Sequence, residues 1–316
     1  MKIIRSILFT LGFIAILFTI TPLFAPYEID QFAKGNSTAF NGIFAEDTNR
    51  LDMLFTGDSE SFTSFMPMRF WEKLGIKSYN IAVASQNLAD GHKTINHIIQ
   101  KQNPKLIVLE TNQVYTNIGG LANLVDKSMT NTLANVFPIL NYHDNWKQIL
   151  SLQKAQSVEI KRNPLKGWRI NRKENAYEGG PYMHKTLEER EIPTLNRHYL
   201  DEIVSLCKEH NIQLLLVSVP SPRNWSYEKH NGVSNYAKEN KIPFLDLNLE
   251  ADSMGINWQE DTYDKGDHLN IKGAEKVTKR LIEYVGQNYQ IKSEYTEAEQ
   301  DLWKKDFDAF IQQINP

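Results

Sequence analysis

The chain has 316 residues, 41% hydrophobic and 23% charged, the composition of an ordinary globular protein with length for one large α/β domain or two small ones, and not that of a disordered chain. A formal charge of -3 gives no global pull toward nucleic acid or anionic lipid, so an electrostatic partner must be met by a local patch. The single cysteine, Cys207, excludes an intrachain disulfide and a multi-cysteine zinc site.

Lys2 and Arg5 precede an uncharged run over residues 6–26, about long enough to cross the ~30 Å hydrocarbon core of a bilayer as a helix. Leu23-Phe24-Ala25 ahead of Pro26 is a poor cleavage site for a signal peptide. The reading is an uncleaved transmembrane helix within residues 1–30 that anchors the chain in a bacterial cell membrane by a single pass. The positive charges at its start stay in the cytoplasm, which places the chain from about Glu28 onward outside.

Strand-like segments follow at 51–56, 78–83, 106–110, 213–219 and 243–247. Between them the apolar spacing is helical. A helix passes through Pro67, with Phe70, Trp71 and Leu74 on one side and Gly75 as its stop. Others are expected at 90–102, 200–208 and 227–240, with a last core helix at 273–285. Strands alternating with helices predict a five-stranded parallel sheet covered on both faces. Residues 117–193 break this rhythm and are too long for a simple loop. They read as an inserted cap that carries Asn-Tyr-His-Asp-Asn-Trp from residue 141 and a basic, aromatic run at 161–173. Residues 291–316 hold a separate helix that opens on a capping box, Thr296 with Glu299. Its stripe of Leu302, Trp303, Phe307, Phe310 and Ile311 is expected to pack on the domain.

Chemistry enters where the first strand runs into Gly57-Asp58-Ser59. Glycine permits the sharp turn, and a serine opening the next helix stands at the carboxyl edge of the sheet, where open α/β folds bind ligands. Free N–H groups at that helix start can stabilise an oxyanion. An N-cap serine without chemistry has the same appearance, so the tripeptide needs a partner. It has one at the other end: Asp264, Asp267 and His268 lie just before the last core helix. A histidine held by a carboxylate there can take a proton from the serine. Asp264 is favoured as the orienting acid over the adjacent Asp267, which stays open as the alternative.

With these motifs the sequence resembles the SGNH/GDSL hydrolase family over residues 48–290, the insertion excluded. Gly57-Asp58-Ser59 is similar to the family's nucleophile block, residues 79–86 to its second, residues 108–113 to its third and residues 264–268 to its last. The resemblance implies a flavodoxin-like three-layer α/β/α fold and a Ser59 nucleophile with His268 as its base. It implies an oxyanion hole from the Ser59 and Ser85 N–H groups and the Asn112 side chain. Glu110 stands where the family has glycine, Gln113 where it has aspartate, and Asp264 is one residue further from its histidine than usual, which puts the shape of the oxyanion hole in question. The anchor and the insertion are similar to a membrane-anchored subgroup that includes the teichoic-acid D-alanylation protein DltD and cell-surface O-acetylation proteins.

The function so implied is acyl transfer or ester hydrolysis on a cell-surface polysaccharide or teichoic-acid-like polymer through an acyl-Ser59 intermediate, with a multi-span membrane O-acyltransferase as a candidate partner. The alternative is a non-catalytic anchored protein that binds the polymer or that enzyme, and Glu110 is its best mark. His143 in the insertion and Lys166, Trp168 and Arg169 in the basic run are candidate substrate-binding residues, with a solvated loop as the rival reading. No Gly-rich phosphate loop or metal motif occurs, so no metal or other cofactor is expected and no nucleic-acid partner.

Overall fold

The computed structural model describes residues 2–24, 38–118 and 160–315, with side chains in the first stretch described at 4–13 and 15–19. The chain divides into two compact units, residues 1–36 with 119–159 and residues 37–118 with 160–316. In the first unit the described element is helix α1 (Lys2–Phe24), on which Ile4, Leu8, Phe9, Leu11 and Ile16 are exposed. The transmembrane span expected within residues 1–30 is not found among the described residues, where no helix is long and apolar enough to cross a membrane. His143 and its segment lie outside the described residues.

The second unit is an α/β fold on a five-stranded parallel sheet of order β2-β1-β3-β4-β5. Its strands are β1 (Met53–Thr56), β2 (Ser78–Asn80), β3 (Leu106–Glu110), β4 (Gln213–Ser218) and β5 (Phe244–Asp246), within the five stretches expected from the sequence. β3 is buried along its whole length, as a central parallel strand with helices over both faces must be. Successive residues of each strand point to opposite faces. Met53, Phe55, Val108, Leu215 and Val217 turn to one side of the sheet, and Leu54, Ile107, Leu109, Leu214 and Leu216 to the other.

The helices fill both layers. The first side is covered by α4 (Pro67–Leu74) through Phe70 and by α8 (Ile271–Asn288) through Val277, Leu281 and Val285. The second is covered by α5 (Leu88–Ile99), α6 (Thr194–Glu209) and α7 (Tyr227–Asn240), which contribute Ile95, Ile203 and Tyr236. The single helix expected between β1 and Gly75 is two helices, α3 (Ser59–Ser64) and α4, preceded in the chain by the short α2 (Thr38–Asn41). Met66 between them is extended, because Pro67 at the start of α4 disfavours helical backbone in the residue before it. Gly75 ends α4 with φ 66°, the left-handed stop.

The C-terminal helix α9 (Glu297–Ile314) belongs to this same compact unit. Its capping box forms as expected, and Trp303, Phe310 and Ile314 are buried in the core. Among the described residues the segment expected as a cap contains no helix or strand from 160 to 193. It runs as an irregular strap across the body: Asn80 N–H donates to Lys166 O (2.8 Å), Arg169 N–H to Phe62 O (2.9 Å) and Asn175 N–H to Thr262 O (2.9 Å).

Candidate active site

The sheet order places the switch point between β1 and β3, and in such sheets the crevice beyond the carboxyl ends of the strands takes the ligand. Ser59 follows β1 there and Asn112 follows β3. The turn into Ser59 depends on Gly57, whose φ of 143° lies in the region favouring glycine and where an added Cβ would sit 2.7 Å from Glu110 Cβ. Asp58 then caps α3, its carboxylate accepting from Glu60 N–H at 3.0 Å.

Ser59 Oγ lies 2.7 Å from His268 Nε2, and His268 Nδ1 lies 2.6 Å from Asp264 Oδ2. The other Asp264 oxygen accepts the backbone N–H of His268 at 2.7 Å. Asp267 is 3.9 Å from Nδ1 and turns instead to the side chain of Asn224. Tyr263 stacks on the imidazole at 5.5 Å and 10°. The four-residue spacing of Asp264 and His268 follows from the loop itself. Thr262 bridges to Leu269, Lys265 and Gly266 take φ of 65° and 85°, and Thr262 Oγ1 accepts Gly266 N–H while donating to His268 O, both at 2.8 Å. Two left-handed residues fold the loop back so that Asp264 meets the histidine. Asn270 then starts α8, its side chain accepting from Lys272 and Gly273 N–H.

The expected oxyanion donors are the Ser59 and Ser85 N–H groups and Asn112 Nδ2, each on a segment that follows a strand of the sheet. Ser59 N–H is at the first position of α3, where backbone has no intrahelical acceptor. The Ser85 loop is tied to the nucleophile turn by Val83 N–H donating to Gly57 O (3.3 Å), and Ser85 is exposed with φ 55°. That is the left-handed backbone a glycine favours, held here by serine. Asn112 Nδ2 donates one hydrogen to Asp58 Oδ2 at 2.9 Å, which leaves its second free for an oxyanion. Asn112→Ala is therefore expected to lower kcat about 10²–10³-fold with a smaller effect on KM, the usual cost of losing one oxyanion donor, in steady-state hydrolysis of an activated ester.

Glu110 does not occupy the cleft. Its buried carboxyl accepts Asn112 N–H with both oxygens at 3.0 Å and so holds the short helical turn Asn112–Tyr115 that presents the amide. Burial, with Asp58 next to it, pushes the Glu110 carboxyl well above the usual carboxylate range. Gln113 is buried and donates weakly to Glu110 O. Both departures from the family pattern are thus packing and positioning residues behind the site.

Sequence reasoning missed Glu60 and Asn224. Asn224 Nδ2 donates to Glu60 Oε1 at 2.6 Å and also reaches Asp267, linking α3 to the histidine loop. Their signal was position: an acid directly after Ser59, and an asparagine in the loop beyond the carboxyl end of β4. Glu60 is buried, and its second oxygen has no hydrogen-bond partner among the described residues. Burial first, then Glu110 and Asp58, push its carboxyl well above the ordinary 4.5.

The folded chain therefore keeps a proton that the unfolded chain gives up. The stability it confers is fully present below about pH 4.5 and declines by about 1.4 kcal/mol per pH unit as pH rises toward the folded-state value. Glu60→Gln has nothing to ionise, so its Tm should fall less than that of the wild type between about pH 5 and pH 8 in scanning calorimetry. Equal pH dependence in the two proteins would assign the decline to other groups.

Glu60, Asp267 and His268 form the one group of three metal-type side chains among the described residues with ligand atoms within 4.8 Å of one another. Both nitrogens of His268 are already engaged by Ser59 and Asp264, which fits a proton-transfer network.

Two of the candidate substrate-binding residues need correction. Lys166 is completely buried, its ammonium 2.7 Å from Glu46 and 2.6 Å from Asp306 of α9. Trp168 is buried as well and donates from its indole to Thr63 O at 2.9 Å. A buried lysine must be paired to stay charged, and these two residues fasten the strap to the body. The basic run read as substrate-binding, or as a solvated loop, because the acidic partners of Lys166 are 120 and 140 residues away. Arg169 keeps partial exposure, with its guanidinium over the Phe62 ring at 3.9 Å.

No protein-family model matches the chain, and no curated protein matches it. Among solved structures, the psychrotrophic esterase EstA from Pseudoalteromonas sp. is similar at 10% identity and TM-score 0.41, covering 75% of this chain and 97% of that one. The lipase/acylhydrolase from Enterococcus faecalis is similar at 11% identity and TM-score 0.40, covering 78% and 100%. A GDSL-like lipase from Bacteroides thetaiotaomicron is similar at 12% identity and TM-score 0.37, covering 79% and 100%. What the site can do is read from its own residues.

Proposed function

We propose that the chain is a serine-dependent acyl-transferring or ester-hydrolysing enzyme that works on a cell-envelope glycopolymer outside a bacterial membrane. The observation that carries the chemistry is the unbroken chain from Asp264 through His268 to Ser59, with contacts of 2.6 and 2.7 Å. Ser59 Oγ attacks the ester carbonyl while its proton passes to His268 Nε2. Asp264 holds the imidazole in the tautomer that accepts it and stabilises the imidazolium. The Ser59 and Ser85 N–H groups and Asn112 Nδ2 receive the oxyanion. As the intermediate collapses, the ester C–O bond breaks and His268 returns the proton to the leaving alcohol, leaving acyl-Ser59. Water, or a sugar or polyol hydroxyl, then gives its proton to His268 and takes the acyl group by the same steps in reverse.

The outer location rests on Lys2 and Arg5 ahead of the uncharged run over 6–26, together with apolar side chains exposed on α1. The glycopolymer acceptor, and a multi-span membrane O-acyltransferase as acyl donor, rest on the resemblance to the membrane-anchored subgroup. In the test, full-length protein in detergent is given p-nitrophenyl acetate with and without a soluble glycan acceptor. Nitrophenol release with acetyl found on the glycan supports transfer, release with free acetate supports hydrolysis, and no release above buffer contradicts both.

A further inference from the structure

A cavity of about 560 Å³, with Ser59 and His268 not among its lining residues, opens between the strap and the segment after β5. Its aromatic walls are Tyr177, Tyr182 and Trp258. The two tyrosine rings meet the indole nearly at right angles, 71° at 6.1 Å for Tyr177 and 82° at 5.8 Å for Tyr182. The cavity is built rather than incidental. Tyr177 N–H donates to Trp258 O at 3.0 Å, and Tyr182 Oη donates to Asn248 Oδ1 at 3.0 Å.

Its charge is one-sided. Glu178 and Asp252 line it, both exposed, no lysine or arginine does, and neither acid is paired with a cation among the described residues. Burial first, with Asp246 and the cavity's own Asp252 among the charges adding to it, disfavours ionisation of Tyr182.

We propose that this cavity binds an organic ammonium group, quaternary or primary, as a free amine or as the headgroup of a larger molecule. Three aromatic side chains line the cavity together with two acids and no base, a lining whose ring quadrupoles and carboxylates both favour an organic cation. The two acids complete the recognition by attracting a positive charge and repelling an anion. Tyr177 of this cavity packs against Gly266 of the histidine loop, but the proposed binding does not require the acyl chemistry.

The test is isothermal titration of the full-length protein in dodecyl maltoside, which carries no ammonium group. Choline should bind saturably to one site, while its uncharged isostere 3,3-dimethylbutan-1-ol and glucose should not. Glu178→Gln with Asp252→Asn should weaken choline binding by about tenfold or more, and Trp258→Phe should weaken it without the acids being touched. Phosphocholine binding as tightly as choline assigns the site to a headgroup, and choline binding alone assigns it to a free amine. Binding of the isostere or of glucose as tight as that of choline, or unchanged choline affinity in the double variant, overturns the proposal.

Discussion

Ser59→Ala is expected to lower kcat/KM for an activated ester by about 10⁴-fold or more while leaving the fold intact. The loss is large because the serine, histidine and aspartate act as one unit: without Oγ there is no acyl-enzyme, and His268 has no proton to take. The fold tolerates the change because, among the described residues, the one side-chain partner of Ser59 Oγ is His268 Nε2. Its helix is fixed by other groups, namely the Asp58 cap, the Asn80 side chain on Ser61 and Thr63 Oγ1 donating to Ser59 O. A change of about 0.5 kcal/mol or less in stability is expected from urea melts. Comparable losses of activity and stability would mean that the serine is a structural cap.

The second large effect separates the two candidate acids. Asp264→Asn should lower kcat by about 10⁴-fold, since an amide in that place favours the wrong imidazole tautomer and cannot stabilise the imidazolium. Asp267→Asn should cost much less, about tenfold, because that carboxylate lies 3.9 Å from Nδ1 and spends itself on Asn224. Its contribution is to position the loop, so its loss should appear more in KM than in kcat. The pair of variants measured on one ester decides between them. If Asp267→Asn is the more damaging, the loop rearranges when substrate binds and Asp267 is the working acid.

The sheet was legible because parallel strands buried on both faces read as short apolar runs closed by turn residues, and 51–56 and 106–110 have that form. Ser59 and His268 were legible as a pair because each stands at a junction between strand or loop and helix, although a serine in that place alone reads equally as a cap. What periodicity does not encode is which distant charges meet. Lys166 read as a substrate-binding or solvated residue because it stands in a basic run, yet the distant Glu46 and Asp306 close over it. Glu110 looked like damage to the oxyanion hole because a glycine was the expectation there. Its role under Asn112 depends on Gly57 leaving room for its Cβ, a contact across two strands. The choice of Asp264 over Asp267 rested on side-chain direction, which the left-handed pair Lys265 and Gly266 fixes.

The most direct measurement of an activated nucleophile is intact-mass spectrometry of the full-length protein and of Ser59→Ala after exposure to a fluorophosphonate. The account predicts one phosphonyl adduct on the wild type and none on the variant, with tryptic peptides placing it on Ser59. No adduct on the wild type, or the same adduct on both proteins, would contradict it.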